Sequence, residues 1–300
     1  MAKYEHTVTT EETGLTINQI LKRNYKFSSR FKTKMKYQSL VDLNGTPAPG
    51  YLRPEVGDVI GVRLPEETSD FEPEDIPLDI IYEDEDLILI NKQPGIIVHP
   101  TKGHPEHTIA NGVMKYMSDT DQSFKVRFAN RIDMDTSGII IVAKNANSQN
   151  ELSSQMRAGT VVKKYKALVE GIIGEDCFSI ELPVGRPSPE SIQRAVMDEG
   201  GKSAHSEIRV LERFSSEEYG DHTLVEVSIK TGRTHQIRVH LSHIGHPIAG
   251  DSLYGGRTDL IDRQALHAYH IEFSHPMSGE RVSFEVPLYD DISAAMVTLR

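Results

Sequence analysis

Apolar positions in the first sixty residues change period twice. In TINQILKR, Ile17, Ile20 and Leu21 fall on one side of a helical wheel, which predicts a short helix. Ser28 and Ser29 are N-cap candidates for a second helix, RFKTKMKY. SLVDLNG then alternates as a strand should and ends in an Asn44-Gly45 turn, and VGDVIGVRLP supplies a second strand. From Leu78 onward strands dominate. LDIIYEDEDLILINK reads as a hairpin about an acidic turn, and HTIANGVMKYM as a helix. SGIIIVAKN is a continuous apolar run, the pattern of a strand buried on both faces. NSQNELSSQMRAG predicts a helix closed by Gly159. KKYKALVEG, SAHSEIRVLERF, HTLVEVSIKTG, HAYHIEFSHP and ERVSFEVP predict strands, and HQIRVHLSHIG a helix. Strands follow strands with helices between only some of them, so the expected class is α+β, not a regular βαβ wind.

The apolar fraction of 38% suits one large domain, or a small one joined to a larger one, within 300 residues. No run reaches the roughly 20 apolar residues that span a bilayer. The start of the chain lacks the apolar core of a signal peptide. The lone Cys177 excludes an internal disulfide and a cysteine-based zinc site. A cytoplasmic monomer with no membrane partner is the expectation. The net charge of −11 argues against a polyanionic partner until its distribution is seen. Lys22, Arg23, Lys26, Arg30, Lys32, Lys34 and Lys36 crowd one stretch with no acid among them. Glu66, Glu67, Asp70, Glu72, Glu74 and Asp75 crowd another with no base. The acidic, proline-containing stretch 66–77 reads as a linker.

The densest concentration of chemistry is ANRIDMDTSGIIIVAKN, residues 129–145. Here Arg131, Asp133, Asp135, Thr136 and Ser137 stand at the mouth of the buried strand. Such a cluster is either a functional site or a capped turn whose side chains satisfy backbone donors. Asp133-Met134-Asp135-Thr136 also spells the D-x-D-T of haloacid-dehalogenase-type phosphatases. That fold needs the apolar strand before the first aspartate, whereas here it follows. His235, His240, His243 and His246 are spaced five, three and three apart and lack a nearby cysteine or carboxylate, a poor zinc set.

The whole segment resembles the RluA/RluD-type pseudouridine synthases. Their His-Arg-Leu-Asp, then Thr-Ser-Gly and an apolar strand ending in Ala-Lys, corresponds to NRIDMDTSGIIIVAK. NKQPGIIVHP at 91–100, KKYKALVEG at 163–171, TGRTHQIRVHLSHIGHPIAGD at 231–251 and the following LYGG match further family segments in order. The resemblance covers roughly residues 78–290. Residues 12–65, two helices and a short hairpin, resemble the alpha-L RNA-binding motif of a small-subunit ribosomal protein and of many RNA-modifying enzymes. The implied organisation is an RNA-binding module at 12–65, an acidic linker at 66–77 and a catalytic domain at 78–300. The implied fold is the pseudouridine synthase fold: a mostly antiparallel mixed sheet, flanking helices and a central RNA-binding cleft.

Carried over residue by residue, the resemblance implies Asp133 as the catalytic aspartate. Tyr165 becomes the aromatic packed on the target base and Arg233 the arginine paired with the aspartate. Arg131 becomes the residue that enters the RNA stack. Arg238, with Lys22, Arg23, Arg30, Lys32, Lys34 and Lys36, is expected to contact RNA. Asn130 departs from the family's histidine and Ile132 from its leucine.

The implied reaction breaks the glycosidic C–N bond of uridine, turns the base and rejoins it through carbon 5. Nothing is oxidised and no water is added, so no metal or cofactor is expected. A carboxylate acting at a glycosidic centre is established chemistry, and a base inside a folded RNA must first be extruded. The expected partner is RNA, ribosomal RNA of the large subunit first and tRNA second, and not DNA. A catalytically idle assembly factor on the same scaffold is the remaining alternative.

Overall fold

Strand β7 (Ser137–Ala143) is buried at all seven positions and lies inside the main sheet. Its neighbour β6 (Leu87–Lys92) pairs with it antiparallel from Leu87↔Ala143 to Lys92↔Gly138. Alternation assigns the faces. Ile88, Ile90, Ile140 and Val142 pack against helix α3 (Ile109–Asp119), whereas Leu87, Leu89, Ile139 and Ile141 pack with Leu152 of helix α4 (Ala146–Ala158). Helices on both faces explain the continuous apolar run. Gly159 in the left-handed region closes α4 as expected.

The computed structural model describes residues 4–300 apart from 26, 28, 38, 64–66 and 102, and gives only the backbone of residues 29, 30, 36 and 37. Lys26, the cap candidate Ser28, Glu66 and the side chains of Ser29, Arg30 and Lys36 therefore lie outside the described residues.

Among the described residues nine strands build the main sheet. β5 (Ile80–Glu83) forms the expected hairpin with β6. β14 (Leu266–Ser274) runs parallel to β7 and antiparallel to β8 (Val162–Glu170). The order continues through β13 (Gly220–Ile229) and β12 (Ser206–Ser216) to β9 (Cys177–Ile180), and β15 (Arg281–Glu285) pairs with the later half of β14. Gly138, at φ +112°, sits where β7 meets β14. A Cβ there would fall 2.3 Å from the Ala268 carbonyl oxygen, so only glycine admits the contact. A small hairpin, β10 (Val184–Gly185) with β11 (Ala195–Val196), helix α5 (Gln236–His243) and helix α6 (Asp290–Thr298) complete this part. The class is α+β and the sheet mostly antiparallel, as expected.

The amino-terminal elements form their own four-stranded sheet. Its strands are β1 (Tyr4–Thr7), β4 (Val59–Val62), β2 (Val41–Leu43) and β3 (Thr46–Pro47), in that order. Helices α1 (Ile17–Asn24) and α2 (Ser29–Tyr37) bring Ile17, Ile20, Leu21, Phe31 and Met35 into a shared core with Ile60 and Val62. Thr16 and Gln19 close a capping box on α1. Strand β1 lies ahead of residue 12, so the sheet begins earlier than the helix pattern suggests.

Two features depart from a module on a loose linker. Tyr4 Oη donates to Asp86 Oδ1 at 2.5 Å, and Asn145 Nδ2 donates to the same oxygen at 2.7 Å. Met277, from the turn after β14, packs into the amino-terminal core. The acidic stretch 67–77 is not a free tether either. Val126 N–H donates to Ser69 Oγ at 2.9 Å, Asn111 Nδ2 to the Glu72 carbonyl at 2.9 Å and His107 N–H to Glu74 at 2.8 Å. Phe71 joins the core beneath α3, and Glu67 pairs with the buried Arg127. Composition alone marks these residues as solvated. The apolar side chains placed among the acids anchor them.

Candidate active site

The loop 129–136 leads into β7 at one end of the sheet, and its conformation is held by its own side chains. Asn130 Nδ2 donates to the Ile139 carbonyl at 3.1 Å, and Asn130 Oδ1 accepts from Ile141 N–H at 2.8 Å. The amide thus copies a strand's backbone against the edge of β7. In this way Asn130 shapes the loop that carries Asp133. Thr136 N–H closes the turn on the Asp133 carbonyl at 3.2 Å. Lys92, at the end of β6 and fully buried, donates to the carbonyls of Met134, Gln93 and Ile96 at 2.7–2.9 Å. Burial lowers its pKa to about 7, against the opposing pull of Asp135 and Asp133.

Asp133, half-buried, faces the amino-terminal end of α5. Arg238 Nη1 donates to Asp133 Oδ2 at 3.0 Å. The other guanidinium edge grips Asp251, with Nε to Oδ2 at 2.6 Å and Nη2 to Oδ1 at 2.8 Å, and its plane lies 5.0 Å from the Tyr254 ring centroid. Burial disfavours the cation, but the bonds and charges of Asp251 and Asp133 outweigh it and hold the arginine firmly protonated. His235 Nε2 stands 3.9 Å from the same Oδ2, and His235 Nδ1 lies 2.8 Å from Tyr254 Oη. Oδ1 of Asp133 accepts no hydrogen bond from the described residues. Tyr165, on β8 opposite Val227, is buried. Burial and then the charge of Asp133 raise its phenol's pKa, so it stays neutral.

Two sequence expectations need correction. Arg233 does not pair with Asp133: it precedes α5, and its Nε donates to the Ser203 carbonyl at 3.0 Å. Arg238 does not present itself to phosphate, because it is buried and all three guanidinium nitrogens are bound by two carboxylates. The two arginines lie five apart in one motif, and only the helix register decides which turns inward. Asp251, Tyr254 and Lys92 join the site without having stood out in the sequence, and His235, weighed there only as a zinc ligand, joins it with them. They lie within the matched motifs, but no chemistry distinguishes them until the fold closes around Asp133.

Elsewhere the expected residues are dispersed. Arg131 is exposed two residues before Asp133. Lys22, Arg23 and Lys32 are exposed on α1 and α2, with Arg23 3.2 Å from Glu11. Lys34 is partly covered, with Glu67 4.0 Å away. His240 bonds Ser206 and the Leu182 carbonyl and faces the core, so the four histidines do not converge on one point.

A half-exposed aspartate held by a buried arginine, with a buried tyrosine within reach of its charge, suits more than one class of enzyme. Comparison with known proteins specifies which. The family model described as RNA pseudouridylate synthase matches residues 86–243, a span holding Asp133, Tyr165 and Arg238. The Bacillus subtilis (strain 168) protein described as the uncharacterized RNA pseudouridine synthase YlyB is 41% identical across 87% of this chain and 86% of its own. The Ribosomal large subunit pseudouridine synthase D of Pseudomonas aeruginosa (strain PAO1) is 39% identical over 76% of this chain and 73% of its own. The solved structure of Human RNA Pseudouridylate Synthase Domain Containing 1 superposes with a TM-score of 0.60 at 28% identity, covering 76% of this chain and 90% of that one. The chain belongs to the RNA pseudouridylate synthase family. It is an isomerase that converts uridine to pseudouridine in RNA.

Proposed function

We propose that Asp133 is the reacting group and that the substrate is large-subunit ribosomal RNA. The observation that carries the first part is the asymmetry of the carboxylate. Oδ2 is held by Arg238, while Oδ1 has no protein donor among the described residues and is left to act at the sugar of the target uridine. Arg238, itself fixed by Asp251, keeps Asp133 ionised and oriented. Tyr165 offers a flat apolar face to the base and a neutral hydroxyl beside the carboxylate. Arg131, exposed on the same loop, is suited to fill the gap left by the extruded nucleotide by stacking and hydrogen bonding. The unit built on β1–β4, α1 and α2 adds phosphate contacts through Lys22, Arg23 and Lys32. All these groups lie on one chain, so a monomer suffices, and the cytoplasm is where such an RNA is met.

The assignment to the large subunit rests on the names of relatives such as the Pseudomonas aeruginosa protein. Asp133→Asn keeps the shape and removes the nucleophile. Turnover is expected to fall below detection while RNA affinity holds. More than a few per cent of parent activity would rule Asp133 out. Asp135→Asn is expected to be far milder, because Arg263 ties the Asp135 carbonyl and not its carboxylate. Pseudouridine mapping of large-subunit ribosomal RNA and tRNA from a deletion strain tests the substrate: loss confined to tRNA would overturn it.

A further inference from the structure

His235 sits in the left-handed backbone region at φ +57°, immediately before α5. A non-glycine residue persists there only where its surroundings hold it. Its ring has two neighbours. Nδ1 lies 2.8 Å from Tyr254 Oη, and Nε2 lies 3.9 Å from Asp133 Oδ2. The proton inventory of Tyr254 decides between the tautomers. Its phenol oxygen already accepts the Arg194 backbone N–H at 2.8 Å. The phenol's own proton needs an acceptor, and among the described residues His235 Nδ1 is the one within reach. With Nδ1 accepting that proton, the ring's own proton stands on Nε2.

We propose that His235 is a positioning residue for the isomerisation. Its Nε2–H, with the tautomer set by Tyr254, joins Arg238 in holding Oδ2 of Asp133, so that Oδ1 is presented to the nucleotide. The proposal rests on the reading of Asp133 as the reacting group. The present 3.9 Å is longer than a hydrogen bond. A small rotation of the half-buried carboxylate closes it, and such bonds commonly tighten once substrate is seated. The two donors differ in kind. Arg238 fixes charge and is itself pinned by Asp251. His235 adds direction without adding charge, because burial, more than the opposing charge of Asp133, pushes its pKa below the ordinary histidine value. Tyr254 holds both, giving a bond to His235 and its ring face to Arg238.

Asparagine and glutamine separate the two ring nitrogens. His235→Asn suits the left-handed backbone and reaches only as far as Nδ1, so it keeps an acceptor for Tyr254 and removes the donor to Asp133. The expected result is a kcat lowered roughly ten- to hundredfold, the loss of one hydrogen bond to an ionised group, with KM changed by less than about threefold. His235→Gln reaches the Nε2 position with an amide N–H and is expected to recover more kcat than asparagine does. The tautomer itself is read without substrate, from the ¹⁵N shifts of His235 in labelled full-length protein. The proton is expected on Nε2 in the parent, and Tyr254→Phe is expected to abolish the single-tautomer state. A proton on Nδ1 in the parent, a His235→Asn kcat within about twofold of the parent, or a loss confined to KM would overturn the proposal. If the asparagine variant does not fold, the parent tautomer still decides. An active Asp133→Asn enzyme would instead remove the reading of Asp133 and leave the tautomer result standing.

Discussion

Arg238 is the residue on which the geometry of Asp133 depends, and lysine is a poor replacement for it. A guanidinium binds Asp251 through two nitrogens and still has a third for Asp133, whereas an ammonium is a single point. Arg238→Lys is expected to lower kcat about a hundredfold or more, because an oriented charge-assisted bond and its support disappear together. Arg233→Lys is expected to stay within about fivefold, since only the bond to the Ser203 carbonyl is exchanged. Single-turnover measurements on both variants check this. Reversed effects would return the pairing role to Arg233. Asp133 and Tyr165 are legible in the sequence because each occupies a fixed place in a segment whose neighbours are distinctive. Arg238 is not. It shares a motif with Arg233, and nothing in the string states that α5 begins only at Gln236, which turns residue 238 toward the loop and leaves residue 233 ahead of the helix. Asn130 is opaque for a related reason. Its partners are backbone groups of β7, and they exist as partners only once that strand is formed.

Among the elements, the seam between the amino-terminal sheet and the main sheet is the least expected. It is built from buried and half-buried polar groups. Asp86 accepts from Tyr4, Asn145 and Ser148, and Asp84 accepts from Tyr82 and from His275 Nε2 at 2.8 Å. Burial works against the Asp84 anion, but these bonds and two backbone N–H groups hold its carboxyl well below the usual carboxylate range. The bond to Asp84 in turn raises the pKa of His275. The two signs combine. The Asp84 contribution is present above about pH 4 and disappears as acid titrates the folded carboxyl, while the His275 contribution is complete below about pH 6.5 and disappears as pH rises through its raised value. The seam is therefore tightest between those limits. Thermal melts at about pH 5.5 and about pH 8.5, below and above the ordinary histidine value, should show the parent losing stability at the higher pH. His275→Gln should lose less between the same two points. Equal pH dependence in both would show that the pair contributes nothing. In the acidic strap, charge density hides Phe71 and Ile76 from a reading by composition. Ile76 and Leu78 lie against Gly112 of α3, where a Cβ would come within 3.1 Å of either side chain.

For the whole molecule, a net charge of −11 and a polyanionic substrate are compatible only if positive charge is local. Lys22 and Lys32 are exposed on neighbouring helices, and neither forms an ion pair among the described residues. Replacing both with glutamine is expected to flatten the dependence of RNA affinity on salt by about 0.7–0.9 for each phosphate that a lysine no longer neutralises. Turnover of saturating substrate should be unchanged. Binding isotherms across a salt series measure it, and an unaltered slope would place the phosphate contacts elsewhere.

The seam also fixes a distance. Asp86 and Asn145 stand at one end of β6 and β7, and Lys92 and the Asp133 loop stand at the other, six residues of β6 away. At the rise of a strand that is about 20 Å. With the amino-terminal module bolted there and not hung on a tether, an RNA held by both parts, as proposed above, would be measured as by a caliper. An RNA able to touch both jaws at once must carry its target uridine and its phosphate handle at matching separation, which a folded RNA holds ready and a short linear fragment must adopt at entropic cost. Under that proposal, selection among uridines would begin with the spacing of the fold, before any base edge is read.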